Sequence, residues 1–191
     1  MPRSREQCEQ IRESSKKNIL DKSILYFAKN GLDGTKISDL VKAIGVGQGS
    51  IYCYFASKEE LFSEVQKVSM KNVGLEEFDM INSKDLPPIR KLRYVSDYVV
   101  KNLSQSEMYC AYVYLAFYAR MHGEKEEENP FFDMIKKIVS QGQKEGFFSK
   151  GNADKIADYY LGVIYLYAMR KLYDPKIDIP SSSELERVVR G

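Results

Sequence analysis

Tryptophan is absent, histidine occurs once, at His122, and cysteine three times, at Cys8, Cys53 and Cys110. His122 falls at a polar helix end, with no Gly-rich phosphate loop, Ser/His/Asp set or cluster of metal ligands in the chain, so neither enzyme chemistry nor a metal or cofactor is expected. An odd number of cysteines, far apart in sequence and without a CxxC pair, suits reduced thiols better than a disulfide framework or a structural zinc site. No run approaches the roughly 20 apolar residues needed to cross a bilayer, and residues 1–18 lack the apolar stretch of a secretory signal. A cytoplasmic protein with no membrane partner is expected. Period-two alternation bounded by hairpin turns is missing, as are internal repeats and low-complexity tracts, which leaves strands without support.

What remains is ordinary globular material, 43% apolar and 29% charged, enough to bury a core and too apolar for disorder. The net charge of +2 is unevenly spread. Residues 1–58 hold ten Lys/Arg against six Asp/Glu, a net +4 that leaves −2 for the rest. A basic head on a slightly acidic body suits a polyanion at one end.

The apolar spacing is helical nearly throughout. Leu20, Ile24, Phe27 and Ala28 share one face of a helix that stops near Asn30 and Gly31, and Thr35 can cap the next start. Short helices follow at 37–44 and 48–54, with Gly45 in the turn between them. Ser57 before KEELF is an N-cap followed by acids, opening a long helix toward Met80. After the break at 85–88, helices are expected at 88–104, 106–122, 131–145, 152–173 and 182–190. The charge run at 124–128 reads as solvated loop. Arg3, Arg5 and Arg12 read as part of a solvated, disordered tail, the alternative being an arm that reaches a minor groove or adjacent phosphates.

Within ISDLVKAIGVGQGSIYCYF, counting Ile37 as first, Val41, Gly45 and Ile51 hold the fifth, ninth and fifteenth places. In a helix-turn-helix the fifth packs where the helices meet, the ninth takes a positive φ, and the fifteenth buries the second helix. The longer stretch FAKNGLDGTKISDLVKAIGVGQGSIYCYFASKEEL, 27–61, resembles the DNA-binding signature of the TetR family of regulators. Residue types agree over some 35 positions: the aromatic, the Gly and Thr, the DL-V helix, Gly-Val, Gly, Tyr, Phe and the closing SKEEL.

The resemblance implies an all-α chain of about nine helices. A three-helix DNA-binding head over 1–58 would precede a helical effector-binding and dimerisation body over 59–191. It implies a dimeric regulator, usually a repressor, on double-stranded operator DNA. Matched position by position, Gln48, Gly49, Ser50 and Cys53 would face base edges, while Tyr52, Tyr54 and Lys58 would hold phosphates and Thr35, Lys36 and Ser38 would add backbone contacts. Gln can pair bidentately with adenine, and lysine ammonium and tyrosine hydroxyl groups suit phosphate oxygens. Gly47 stands where a hydroxyl residue often caps the recognition helix, a tolerated exchange. Cys53 stands where an aromatic is common, and reads as a small side chain rather than a redox switch.

The body is rich in tyrosine. Tyr94, Tyr98, Tyr109, Tyr112, Phe117, Tyr118, Tyr160 and Tyr167 are candidate effector-binding residues, since buried tyrosines give an apolar pocket scattered polar handles. The effector expected is a small apolar or aromatic molecule. The helix 152–173 carries two apolar stripes, Ile156, Tyr160, Val163 and Tyr167 on one side and Leu161, Tyr165, Ala168 and Leu172 on the other, so it must be covered twice. The resemblance implies that one cover is a second subunit, with Leu161, Val163, Ala168 and Leu172 as candidate dimer contacts. The alternative for the whole chain is a DNA-bound adaptor whose body binds a protein instead of a small molecule.

Overall fold

A computed structural model describes residues 5–82, 84–122 and 129–190. Among them, ten helices and no strand are found: α1 (Arg5–Asn30), α2 (Ile37–Ile44), α3 (Gln48–Tyr52), α4 (Lys58–Asn72), α5 (Leu75–Asn82), α6 (Pro88–Gln105), α7 (Glu107–Met121), α8 (Pro130–Lys144), α9 (Ala153–Tyr173) and α10 (Ser182–Arg190). None is long and apolar enough to cross a membrane. The all-helical class is as expected. The loop at 124–128 and Arg3 lie outside the described residues.

The head is the second half of α1 with α2 and α3. Ile24, Phe27 and Ala28 of α1 are fully buried, and Leu40, Val41 and Ile51 close over them from the two short helices. The body wraps α7 with α4 and α9 as its nearest neighbours, while α6, α8 and α10 complete the bundle. A long α1 also leans on α4 and α7, so head and body share one continuous core.

Two expectations are corrected. The segment read as a disordered tail is helical from Arg5 onward and forms the exposed first turns of α1. Its Glu6 lies at the N-terminal end, where a carboxylate suits the dipole, and the buried half of the same helix supplies the nucleus it extends. The helix expected to run toward Met80 instead breaks after Asn72. Gly74 has φ 101, and a Cβ there would lie 2.7 Å from Cε1 of Tyr98. The close approach of that ring needs a glycine in a left-handed backbone, and a left-handed residue ends a helix.

Candidate nucleic-acid interface

The turn of the helix-turn-helix is built as its spacing demands. Gly45 sits at φ 71, ψ 41, and Val46 N–H donates back to the Val41 carbonyl at 3.0 Å. Val41 is 8% exposed and Ile51 is fully buried, so the bulk at position 41 is accommodated between α1, α2 and α3. Gly47 is the N-cap of α3 in extended conformation without a side-chain cap. Ser57 caps α4 by accepting from Glu60 N–H at 3.1 Å, and the Glu60 carboxylate reaches back to Ala56 N–H.

That framework fixes which side chains point outward. Gln48, Gly49, Ser50, Tyr52 and Cys53 are exposed, as are Lys36 and Ser38 at the start of α2, while Tyr54 is half-buried. Ser50, Cys53 and Tyr54 also line a cleft of about 260 Å³ against Ser15, Asn18 and Ile19 of α1. The part of α3 facing clear of α1 is therefore Gln48, Gly49 and Tyr52. Arg12 is exposed on α1, and the side chain of Arg5 lies outside the described residues.

Two residues of the expected interface are engaged elsewhere. Thr35 is 2% exposed and its hydroxyl donates to the Gly31 carbonyl at 2.6 Å. It closes the turn before α2 and does not cap that helix, whose N-cap is Lys36. Lys58 is half-buried, and its ammonium donates to the carbonyls of Leu32 at 2.8 Å and Thr35 at 3.1 Å. Spacing places a residue on a helix but does not name the hydrogen-bond partner of its side chain, so these bonds are not legible in the sequence.

In the body, rings of α5 to α8 gather in one cluster. Phe78 packs against Tyr98 at 5.0 Å and Phe131 at 5.2 Å, Phe131 against Phe117 at 5.3 Å, and Tyr98 against Tyr109 at 6.1 Å, mostly edge-on or tilted. Phe78 and Phe131 stand outside the candidate residues, since neither α5 nor α8 contains a tyrosine to mark it. The Tyr109 hydroxyl donates to the Val73 carbonyl at 3.1 Å, and that of Tyr160 is 2.9 Å from the Ser96 hydroxyl. Burial pushes both phenols up from their ordinary range, so both stay protonated. A second chain of rings runs from α1 to α9: Phe27 to Phe62 at 5.2 Å, Phe62 to Tyr118 at 5.4 Å, Tyr118 to Tyr114 at 6.0 Å and Tyr114 stacked on Tyr165 at 5.2 Å. Of the remaining candidates, Tyr94 is exposed, Tyr112 is half-buried, and Tyr167 is half-buried beside the Arg170 guanidinium.

The dimer candidates divide in another way. Leu161 and Ala168 are fully buried and Leu172 is 4% exposed within the single chain, so three of the four face inward. Val163 is half-buried, on the side where Tyr159 and Leu166 are exposed. The outward apolar stripe of α9 is thus Tyr159, Val163 and Leu166, with Tyr173 at its end. Spacing alone does not show which stripe is covered from within the chain; α7, α8 and α10 all pack on α9.

A helix-turn-helix head with an outward polar face on its second helix, joined to an all-helical body, defines the class. Residues 19–65 match the model of "Bacterial regulatory proteins, tetR family", so this N-terminal segment is similar to the DNA-binding domain of that family. It is 30% identical over 95 residues to the HTH-type transcriptional regulator AcrR of Shigella flexneri, a stretch covering 50% of this chain and 44% of that protein. The chain spans about half the length of the curated relatives it matches. Its fold is that of AibR, solved in complex with isovaleryl coenzyme A and operator DNA, at TM-score 0.68 and 15% identity, covering 91% of this chain and 94% of the other. It is also that of the transcriptional regulator FadR from Bacillus subtilis in complex with stearoyl-CoA, at TM-score 0.64 and 19% identity, covering 90% and 94%.

Proposed function

We propose that the chain is a cytoplasmic, homodimeric transcription regulator, a repressor that leaves a near-palindromic operator when a small apolar or aromatic molecule enters its body. Residues 1–58 would read DNA and 59–191 would bind effector and partner. It is a regulator rather than an enzyme. The observation that carries the reading is the pairing of a buried Ile51 with exposed Gln48, Gly49 and Tyr52 on one short helix, behind a left-handed Gly45. Such a helix is anchored by one side and free on the other to enter a major groove. Gln48 is the base-reading residue, with Ser50 and Cys53 at the groove's edge. Tyr52, Tyr54, Lys36 and Ser38 would hold backbone phosphates.

The effector reading rests on the two aromatic clusters. The rings of Tyr109, Tyr98, Phe78, Phe131 and Phe117 pack in succession, so a ligand entering among them would move them, and the chain of rings from Tyr165 to Phe27 offers a packed route from the body to the head. AibR and FadR, which share the fold, were each solved with an acyl-coenzyme A. Acyl-coenzyme A thioesters of graded chain length are therefore the first effectors to test.

The test begins with a duplex selected from a random library by the purified protein. Gln48→Ala should weaken that duplex by about 1 to 3 kcal/mol and relax one base pair in each half-site, leaving random DNA nearly unaffected. An equal loss on both DNAs would remove Gln48 from base reading. Titrating acyl-coenzyme A with and without the duplex then tests coupling, since an effector that releases DNA must itself bind less tightly when DNA is present.

A further inference from the structure

The last carbonyls of a helix have no partner within it and carry the negative end of its dipole. The end of α1 and the turn that follows it make the corner 29–35, directly before α2, where the helix-terminal and turn carbonyls both need donors. Some are satisfied locally: Gly31 N–H donates to Phe27 O at 2.8 Å, the Asn30 amide to Tyr26 O at 2.8 Å, and the Thr35 hydroxyl to Gly31 O at 2.6 Å. Three carbonyls take side-chain donors from the ends of α9 and α4, Leu32 O in addition to the N–H of Thr35 at 3.2 Å. Lys29 O accepts from the Tyr173 hydroxyl at 2.8 Å, and Leu32 O and Thr35 O accept from the Lys58 ammonium at 2.8 and 3.1 Å. The Lys29 ammonium itself pairs with Glu107 of α7 at 2.6 Å.

We infer that Tyr173 and Lys58 are positioning residues for DNA reading, which hold the α1–α2 corner to the ends of α9 and α4 and so set the angle at which α3 is presented. The inference rests on the DNA-reading function proposed above. Thr35 O belongs to the residue before Lys36, the N-cap of α2, whose own carbonyl accepts from Asp39 and Leu40 N–H at 3.0 Å. A shift of Lys58 therefore acts on the first turn of α2, and α2 carries α3 through the buried Val41 and Ile51. Tyr173 is the last residue of α9, the helix whose outward stripe includes Tyr159 and Leu166. One hydroxyl thus relates the head to the face on which a second subunit would sit. Lys58 spends two of its three N–H groups on carbonyls, which makes it a poor phosphate ligand and a good strut.

Tyr173→Phe removes only a hydroxyl from a ring that is 65% exposed, so the fold should survive. On the library-selected duplex its affinity should fall about three- to tenfold, the worth of one hydrogen bond, while affinity for a random duplex of the same length stays within twofold. Lys58→Met should show the same pattern, with the slope of log affinity against log salt unchanged. No loss from Tyr173→Phe, or an equal loss on both duplexes, overturns the role of Tyr173. A salt slope shallower by about one counterion per subunit in Lys58→Met makes Lys58 a phosphate ligand instead. Amide exchange without DNA separates the corner from the function. Exchange at Gly31, Thr35, Asp39 and Leu40 should quicken in both variants while α7 is unchanged, and unaltered exchange overturns the strut. If the wild-type protein selects no duplex, the DNA reading fails and the positioning role falls with it, while exchange still decides whether these donors hold the corner.

Discussion

Gly45 stands in a left-handed turn with nothing within 4 Å of where a Cβ would sit, so a side chain there meets backbone strain and no clash. Gly45→Ala should cost about 1 kcal/mol, and Gly45→Asn less, in the denaturant midpoint of the whole chain. Cys110 presents the opposite case, a residue defined by its surroundings. It is fully buried, and burial pushes its thiol up to about 11. Its thiolate is scarce at pH 8, so iodoacetamide should label the exposed Cys8 and Cys53 in the native protein and reach Cys110 only after unfolding. A third label on the native protein at a comparable rate would contradict its burial.

At the scale of elements, two joints decide how the body closes. At the α4–α5 break, Gly74→Ala would meet the Tyr98 ring and a left-handed backbone together, and should cost on the order of 2 to 3 kcal/mol in thermal unfolding. The same change would loosen the Phe78 cluster, visible as a shift in the near-ultraviolet signal of the tyrosines. At the α6–α10 joint, Glu186 is fully buried and takes both the Nε and, at 2.8 Å, the Nη2 of Arg93. Arg190 Nη1 stands 3.6 Å from the same Oε2 that Arg93 Nη2 reaches. Removing the arginine leaves a buried carboxylate with one distant partner, and a lone buried charge is worse than none. Arg93→Ala should lower Tm by several degrees, and Arg93→Ala with Glu186→Leu should recover most of the loss. If the double variant were as unstable as the single one, the pair would not be the cause.

For the whole molecule, α9 has one face in the core and an outward apolar stripe, which the proposed dimer would cover. Val163→Asp and Leu166→Asp should leave each subunit folded and shift the mass in solution toward the monomer, because the outward stripe would carry a charge into a buried interface. Leu161→Asp should unfold the chain instead, since that residue is fully buried before any partner arrives. Light scattering beside circular dichroism tells the two outcomes apart. A dimer that persisted in both Val163→Asp and Leu166→Asp would place the interface elsewhere.

The sequence by itself determined the helical class, the helix-turn-helix and the cap at Ser57, because each depends on spacing and residue type within a few turns. A positive φ at Gly45 or a buried Ile51 is a local demand that any reading of 37–54 can see. Tertiary structure alone decided the rest. Which stripe of α9 faces outward depends on how far α7 and α10 wrap around it, and the break at Gly74 depends on a ring arriving from α6. The partners of Lys58 and Tyr173 depend on where the end of α1 comes to rest, 144 residues from one of its donors. Hydrogen-bond partners across such distances are set by packing, and no pattern of neighbouring residues encodes them.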